Sequence, residues 1–354
     1  MRTDRHRWPG WAISLVVWLG ACAWGQDSQS PAGGANDPAA RDALAREVAS
    51  AGWIVYSAKN GRGDWDLFRM RPDGSARRKV TDTPEFNEAG GRFSPDGQRL
   101  LYYRMPKTEA VNMSYGTHDL VIADADGRNP IVFGAEFPWA SWGPDSAQIA
   151  CLKREGIQIV DLATRKVLRE LPRQGIVKQL VWSPDGQWFL GTANLLGAAY
   201  WTIGRLSLQT GAINAVSETD RYNCTPDWAP DSRQAVYARG IIPEKGGRAE
   251  MWLASGDGQE KRMLFAEEGR HIYGACVSPD GKHCIFTRSE DDFGEDGDMR
   301  GFTMALMRRD DGPMMGDKSP SLRKRFPDAK TGPWLDLGNG WEPHWAAAEL
   351  TSKP

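Results

Sequence analysis

The stretch Phe93-Ser-Pro-Asp-Gly97 decides the fold, because four close copies of it follow along the chain. Those copies are Trp142-Gly-Pro-Asp-Ser146, Trp182-Ser-Pro-Asp-Gly186, Trp228-Ala-Pro-Asp-Ser232 and Val277-Ser-Pro-Asp-Gly281. Their first residues follow one another at intervals of 49, 40, 46 and 49 positions. A repeat of roughly 40–50 residues built from short strands is typical of the blades of a β-propeller.

Each copy has the chemistry of a tight turn between two strands. Proline fixes φ at about −65° at the second turn position, aspartate bonds nearby amides, and the following glycine or serine takes a left-handed conformation. This pattern predicts a three-residue hairpin loop, formed by a type I turn and a bulge. The strand before the turn ends at an aromatic residue such as Phe93, and an apolar run such as Leu100–Tyr103 begins the next strand.

A second motif lies between these turns and supplies the remaining strands of each repeat. It is Asp64-Trp-Asp-Leu-Phe-Arg-Met-Arg-Pro-Asp-Gly74 at its first occurrence and His118-Asp-Leu-Val-Ile-Ala-Asp-Ala-Asp-Gly127 at the next. Each copy precedes another short strand, so each repeat has four strands, A to D from the axis outward. The five repeated turns account for five blades.

A sixth blade closes the ring. Its A strand is predicted at Gly340–Trp345, and its other strands come from the start of the domain, at Trp53–Ser57, Trp65–Met70 and Arg77–Thr81. Such closure removes the exposed sheet edges that invite aggregation. The sequence therefore predicts an all-β, six-bladed β-propeller of four-stranded antiparallel blades over residues 53–346, followed by a tail at 347–354.

Composition agrees with this class and excludes some partners. The 354 residues include 39 Gly, 22 Pro and 16 Trp, which fits short hairpins with many large aromatic side chains. The formal net charge is −2, from 44 basic and 46 acidic residues. The sequence has no basic stripe, so binding to nucleic acid is not expected. We expect a monomer.

Residues 1–25 have the layout of a secretory signal peptide. Three arginines precede the apolar run Trp11–Leu19, which is too short to span a bilayer. Leu19-Gly20-Ala21-Cys22 resembles the bacterial lipobox and would make Cys22 a lipidated N-terminus, whereas Ala21-Cys22-Ala23 fits an ordinary cleavage site. Both alternatives predict an exported protein in an oxidising compartment, either periplasmic or anchored to a membrane only through the lipid.

Residues 26–52 connect this segment to the propeller. Residues 26–36 are polar and small, cannot bury a core, and predict a flexible tether. Asp37 followed by Pro38 has the pattern of a helix N-cap with proline at the first helical position. A short helix is therefore expected over Ala39–Ala49.

The combined pattern resembles the WD-like repeats of the TolB propeller, over about 290 residues. The same repeats occur in oligogalacturonate lyases and in the propeller domains of prolyl-oligopeptidase-type peptidases. TolB carries an α/β domain before its propeller, and about 27 residues between the signal region and the first strand are too few for one. The resemblance therefore implies a TolB-like propeller without that domain. No Gly-x-Ser-x-Gly nucleophile elbow of a peptidase occurs in the sequence.

Propeller geometry separates the connections by face. The A–B and C–D turns lie on one face, here called the turn face, and the B–C and D–A loops lie on the other, the loop face. The predicted B–C loops are long and irregular, at Met105–Thr117, Ala193–Tyr200, Arg239–Ala249 and Ser289–Gly301. Varied loops on a rigid scaffold usually carry recognition, so the loop face is the predicted binding face, and neutral insertions are the alternative.

Side chains from the D–A loops and the closing blade are expected at the channel mouth on the loop face. The binding candidates are Glu88, Arg221, Tyr222, Asn223, Arg270, His271, Tyr273, Glu342 and His344. A rim of aromatic, arginine and histidine side chains suits a peptide segment or a carboxylated ligand. The alternative is that most of these residues pack or hydrogen-bond between blades.

No metal or other cofactor is expected. His118, His271 and His344 fall on three separate blades and lack the local spacing of a metal site. The acidic stretch Glu290–Asp298 departs from the calcium-binding EF-hand pattern, because Gly294 falls where a ligand is needed. A solvated acidic loop is the preferred interpretation.

Two cysteines flank the last repeated turn. If Pro279–Gly281 forms a three-residue loop, Cys276 faces Cys284 across the hairpin, at a separation that permits a disulfide. Two reduced, buried thiols are the alternative, since a change of one residue in the turn moves the cysteines to opposite faces of the sheet.

The longest insertion is Arg308–Pro333, on the C–D side of the last blade. Its glycines, methionines and basic run predict a mobile excursion, with a second contact surface as the alternative.

Together these features favour a non-enzymatic, protein-binding scaffold of the cell envelope, with an envelope protein or a peptide segment as partner. Two alternatives remain. One is a lyase acting on acidic oligosaccharides, which needs a metal or a Lys/Arg base near the sugar. The other is a propeller that binds a glycan or a small ligand in a pocket with stacked aromatics.

Overall fold

The computed structural model describes residues 37–111, 118–135, 137–240, 248–290 and 301–347. These residues form two α-helices, α1 at Pro38–Val48 and α2 at Pro320–Arg325, and 25 strands. In chain order the strands are β1 Trp53–Lys59, β2 Trp65–Met70, β3 Arg78–Lys79, β4 Phe86–Phe93, β5 Arg99–Pro106, β6 Asp119–Asp124, β7 Ile131–Gly134, β8 Trp139–Trp142, β9 Gln148–Leu152, β10 Ile157–Asp161, β11 Val167–Leu171, β12 Ile176–Trp182, β13 Trp188–Ala193, β14 Thr202–Ser207, β15 Ile213–Ala215, β16 Asn223–Trp228, β17 Gln234–Arg239, β18 Glu250–Ser255, β19 Lys261–Ala266, β20 His271–Val277, β21 His283–Ser289, β22 Phe302–Arg308, β23 Met314–Met315, β24 Trp334–Asn339 and β25 Trp341–Ala346.

The strands form six sheets, which are the blades of a propeller. Blade 1 contains β4–β7, blade 2 β8–β11, blade 3 β12–β15 and blade 4 β16–β19. Blade 5 contains β20, β21, β22 and β24, and blade 6 has the order β25-β1-β2-β3. The four strands of each blade pair antiparallel, with the first-named strand innermost and the last outermost.

Blade 6 closes the ring with strands from both ends of the domain. Trp53 pairs with Ala346 and Ile54 with Trp345, so β1 lies beside β25. The predicted six-bladed fold and its closure by N- and C-terminal strands are confirmed.

The repeated Ser-Pro-Asp turns are one residue longer than predicted. In the first of them, Ser94 donates its amide to the Arg99 carbonyl at 2.9 Å, which leaves four residues in the loop. Gly97 takes a φ of 68° and donates its amide to the Ser94 carbonyl at 2.8 Å. The aspartate side chain accepts the Gln98 amide at 3.0 Å, which satisfies a backbone donor of the turn.

This extra residue overturns the predicted disulfide between Cys276 and Cys284. Ser278 pairs with His283 across the turn, so Cys284 faces Val277, and Cys276 faces Ile285. Side chains alternate between sheet faces, so the two cysteines point to opposite sides of blade 5. Both are buried free thiols in different hydrophobic clusters.

The insertion between β22 and β24 is ordered, which corrects the expected mobile excursion. Met314 and Met315 form β23, which pairs in parallel with Phe265 and Ala266 of β19, the outer strand of blade 4. Both methionines are fully buried, and the following α2 packs Leu322 beside them. An insertion from blade 5 therefore covers the edge of its neighbour and buries a small core there.

The helix α1 packs on the turn face. Asp37 caps it by accepting the Ala39 amide at 3.2 Å. Leu44 and Val48 are fully buried in a cluster formed by strands of blades 5 and 6. On its exposed side Glu47 forms an ion pair with Arg308 and lies 2.9 Å from His283 Nε2. The hydrogen bond from Arg308, helped by His283, lowers the pKa of Glu47 although partial burial acts to raise it.

No helix in the described part of the chain is long and apolar enough to cross a membrane.

Replacing Leu44 with alanine should lower the free energy of unfolding by about 2–5 kcal/mol, because a buried side chain is replaced by a cavity beneath α1. Leu196→Ala is the matched control, since Leu196 is fully exposed and should matter by less than about 0.5 kcal/mol. Chemical denaturation measures both changes. Equal losses in the two variants would contradict the docking of α1.

Candidate functional site

The six inner strands surround a channel with a cavity of about 340 Å³. Each blade contributes one residue to the lining, at an equivalent position near the end of its inner strand. We call these residues the channel ring: Arg92, Ser141, Val181, Asp227, Cys276 and His344. The next residue along the chain is Phe93, Trp142, Trp182, Trp228, Val277 or Trp345. Arg92 of blade 1 and Asp227 of blade 4 lie on opposite sides of the ring, because two blades lie between them in either direction.

A backbone bulge precedes the channel ring in five of the blades. At each bulge the strand register shifts, and one residue takes a positive φ. These residues are Gly90, Gln179, Thr225, Gly274 and Glu342, with φ between 48° and 68°. Left-handed backbone is costly for a β-branched residue such as Thr225, and bulges of this kind re-aim side chains next to functional sites.

Side-chain bonds from one blade to the next hold these bulges. The Thr225 amide donates to Gln179 Oε1 at 2.7 Å, and the Gly274 amide donates to Thr225 Oγ1 at 3.0 Å. Ser57 and Thr287 accept the amides of Gly90 and Glu342 in the same way, at 3.2 and 3.1 Å. We call this set of bonds the girdle. It compensates for the strained backbone and fixes the blades that carry the channel ring.

Arg92 is the fixed positive charge of the channel. Its Nη1 donates to the carbonyls of Gly91 and Glu342 at 2.9 and 3.3 Å. Its Nη2 lies 3.9 Å from Glu342 Oε2, a long ion pair with a nearly buried carboxylate. About a third of the Arg92 side chain stays open to the lumen.

Asp227 is the acid on the opposite side. Its Oδ1 accepts the Trp228 amide at 2.9 Å, and the nearby Cys276 thiol donates to the Val277 carbonyl at 3.5 Å. The side chain is partly open to the lumen but protein surrounds it on all sides, so burial raises the pKa of Asp227 to about 6 although Arg92 acts to lower it.

His344 is a neutral donor beside Arg92. Its Nδ1 accepts the Phe93 amide at 3.2 Å, which leaves the proton on Nε2. Burial, assisted by the charge of Arg92, lowers the pKa of His344 to about 3. His344 was expected at the channel mouth on the loop face, but its partner Phe93 directly precedes the Ser-Pro-Asp turn. It therefore lies within the channel, toward the turn face.

Four other predicted rim residues are buried between strands rather than exposed: Glu88, Asn223, Tyr273 and Glu342, which is 2% exposed. Glu88 is fully buried, accepts the Thr83 hydroxyl and has a pKa raised by burial to about 7. Asn223 is also fully buried, and its Nδ2 donates to the Glu218 and Arg221 carbonyls at 2.8 and 2.9 Å. Tyr273 packs edge-on against Phe302, with ring centroids 6.3 Å apart. Their side chains point inward from the pleated strands, which accounts for their burial.

The remaining predicted residues lie on the loop face. Arg270 pairs with Glu267 at 3.3 Å and with Glu290. His271 accepts the Ala249 amide at 3.1 Å, and its Nε2 lies 2.9 Å from Arg248 Nη1. These contacts join the D–A loop between blades 4 and 5 to the B–C loops of both blades.

Arg221 and Tyr222 belong to an aromatic surface on the loop face. The Tyr222 ring lies 4.8 Å from Tyr200 and 5.5 Å from Trp201, and 39% of Tyr222 is exposed. Leu196, in the B–C loop that also contains Tyr200, is fully exposed. We call Leu196, Tyr200, Trp201 and Tyr222 the aromatic platform. Beneath it the Lys178 ammonium lies 3.9 Å from the Trp201 ring, and burial lowers the pKa of that lysine.

Much of the loop face lies outside the described residues. The B–C loop residues 112–117, 241–247 and 291–300 are in this group, including most of the predicted acidic loop. Among the described residues no three His, Cys, Asp or Glu side chains cluster as a metal site would require. His118 pairs with Glu109 at 2.7 Å on blade 1, away from His271 and His344.

Comparison with solved structures agrees with this architecture. TolB from Acinetobacter baumannii superimposes with a TM-score of 0.60 at 15% identity, covering 84% of this chain and 67% of that one. A TolB-type structure from Agrobacterium tumefaciens gives 0.53 at 17% identity, covering 82% and 90%. This chain folds as a TolB-like propeller.

Other comparisons are less specific for this TolB-like propeller. A chain of the nidogen–laminin complex gives a TM-score of 0.51 at 10% identity, covering 73% of this chain and 90% of that one. A scan against protein-family models gives no match, and a search of curated proteins gives none either. The likeness therefore concerns the fold alone.

Sequence reasoning missed Arg92, Asp227 and Leu196. The first two directly precede Phe93 and Trp228 of the repeated motif, at a position that varies from repeat to repeat and is charged in two of them. That variation within an otherwise regular repeat was the available signal. Leu196 was detectable as an apolar residue inside a predicted loop.

Asp227→Asn should stabilise the protein clearly more at pH 7.5 than at pH 4.5. The folded-state pKa is raised, so wild-type stability is lost as pH rises from about 4 through about 6, and asparagine does not ionise. The gain at pH 7.5 should be roughly 1–2 kcal/mol, after allowance for the partly open side chain. Urea denaturation at both pH values tests this, and a gain independent of pH would contradict it.

Proposed function

We propose that this TolB-like propeller is an exported, non-enzymatic scaffold that binds an envelope protein or a peptide segment through its loop face. The observation that carries the proposal is the aromatic platform. Exposed aromatic and aliphatic side chains beside an arginine are the residue types enriched at the centres of protein interfaces.

The geometry of the platform supports a binding role. Tyr222 lies against two other aromatic rings, so little side-chain entropy remains to be lost on association. Arg221 next to it pairs with Asp220 at 2.9 Å, and this exposed aspartate leaves the pair accessible at the rim. Leu196 supplies an apolar group that only a partner would remove from water.

The position of α1 supports a defined orientation. The helix packs on the turn face, where Glu47 contacts His283 and Arg308. α1, at which the described residues begin, thus lies on the face opposite the platform. If Cys22 is lipidated, attachment from this end of the domain would leave the platform free to meet other proteins.

The channel ring favours binding over the lyase alternative. A lyase would need a base near an acidic sugar, but His344 uses Nδ1 to accept a backbone amide and carries its proton on Nε2, so it faces the lumen as a donor and not as a base. The described residues also provide no metal cluster.

Substituting the platform should abolish partner capture. In a pull-down from detergent-solubilised envelope with C-terminally tagged full chain, Leu196→Ser/Tyr222→Ser should recover at least about tenfold less partner than wild type, because hot-spot aromatics dominate interface energy. Ile131→Ser/Leu168→Ser, at exposed apolar residues of the outer rim, is the matched control and should recover wild-type amounts. Equal recovery by both double variants would refute the platform as the binding surface.

Cys22→Ser should release the protein from the membrane if the lipobox is used. The variant should move from the membrane fraction to the soluble periplasmic fraction, because the anchoring acyl chains cannot be attached. Fractionation followed by immunoblotting measures this, and Cys224→Ser is the control that keeps all other features. A wild-type protein already found in the soluble fraction would contradict lipidation.

A further inference from the structure

The channel ring is electrically polarised across the lumen. Two adjacent blades provide donors on one side, namely the His344 Nε2–H and the Arg92 guanidinium. On the other side lies Asp227, beside the Cys276 thiol. Positive and negative groups thus face each other over a chamber of about 340 Å³.

Neither charge of the ring is fully satisfied by the protein. Arg92 is paired only at 3.9 Å, with Glu342, and it keeps about a third of its side chain open. Asp227 receives one backbone amide, from Trp228, and no cation of the described residues lies within ion-pair distance of it. A carboxylate that stays ionised in such a place normally has a closer cationic partner.

A third polar group in the same chamber lacks a partner. Gln179 is 4% exposed and lines the cavity, and its Oε1 is used by Thr192 and by the Thr225 amide. Its Nε2 is buried and has no hydrogen-bond partner among the described residues. Buried donors are nearly always bonded, so the chamber offers an acceptor-bearing ligand one more contact.

We propose that this chamber binds a free α-amino acid or a similarly small zwitterion, with its carboxylate toward Arg92 and its ammonium toward Asp227. A net-neutral ligand with separated charges complements a site whose own charges are balanced and separated. The cavity volume falls near the lower end of ligand pockets, which are roughly 300–1,000 Å³, and so suits a molecule of this size. This activity is independent of partner binding at the aromatic platform.

Isothermal titration calorimetry with three related probes tests the two charged contacts separately. L-Phenylalanine carries both charges, L-phenylalaninamide lacks the carboxylate, and 3-phenylpropanoate lacks the ammonium. We expect saturable binding of L-phenylalanine to the full chain, and binding weaker by about tenfold or more for each of the other two. L-Leucine and L-serine serve as further zwitterionic probes with different side chains.

Variants assign each contact to its residue. Asp227→Asn should weaken L-phenylalanine by about tenfold or more but change 3-phenylpropanoate by less than about threefold, because only the former has an ammonium. Arg92→Gln should weaken L-phenylalanine and 3-phenylpropanoate but not L-phenylalaninamide. Arg165→Gln, on the outer rim, is the arginine control and should leave all affinities unchanged.

The outcomes separate a binding defect from a folding defect. Asp227→Asn is expected to be at least as stable as wild type near neutral pH, so its loss of binding cannot be attributed to unfolding. If Arg92→Gln does not fold, the probe that lacks a carboxylate still tests that contact. The proposal is overturned if none of the three amino acids binds saturably, or if binding is indifferent to Asp227→Asn. Pull-down by the aromatic platform is unaffected by either result.

Discussion

The pairing of β1 with β25 is the constraint on which the rest of the structure depends. Six twisted sheets stay in a ring only if the last inner strand joins a blade begun nearly 300 residues earlier, since otherwise two blade faces would be exposed to water. This seam fixes the diameter of the channel, and it places His344 beside Phe93 of blade 1. The position of α1 against blades 5 and 6 adds buried apolar surface next to the same seam.

The channel shows how a regular repeat can carry an irregular site. The Ser-Pro-Asp turns hold each inner strand in a similar place, so one position per blade always faces the lumen. The hydrogen bonds of the girdle offset the conformational strain of left-handed residues such as Thr225 and Gln179. The channel-ring residue two positions later can therefore differ from blade to blade without disturbing the ring. Arginine, serine, valine, aspartate, cysteine and histidine occupy it in turn. The backbone of this position is therefore similar in every blade, while its side chain differs.

The blades could be predicted from sequence because their turns are local chemistry: Pro95 and Asp96 determine their own conformation whatever surrounds them. What depends on distant contacts could not. One additional turn residue placed Cys276 and Cys284 on opposite faces of the sheet instead of the same face, since strand register is set by hydrogen bonds that the motif does not encode. Burial of Glu88 follows from packing against the neighbouring blade, and β23 forms only because the edge of β19 lies within reach. The proposed platform likewise needs two loops to meet whose contacting residues, Tyr200 and Tyr222, are 22 positions apart in sequence.

The strand β23 changes how the repeats share their stability. In most repeat proteins each unit contributes its own term plus an interface with its neighbour. Here a piece of blade 5 is hydrogen-bonded into the sheet of blade 4, and its Met315 completes a core to which Met263 of blade 4 belongs. Neither sheet can come apart without exposing part of the other. Blades 4 and 5 are therefore expected to unfold together as one double-sized cooperative unit, so that the ring has fewer independent folding units than blades.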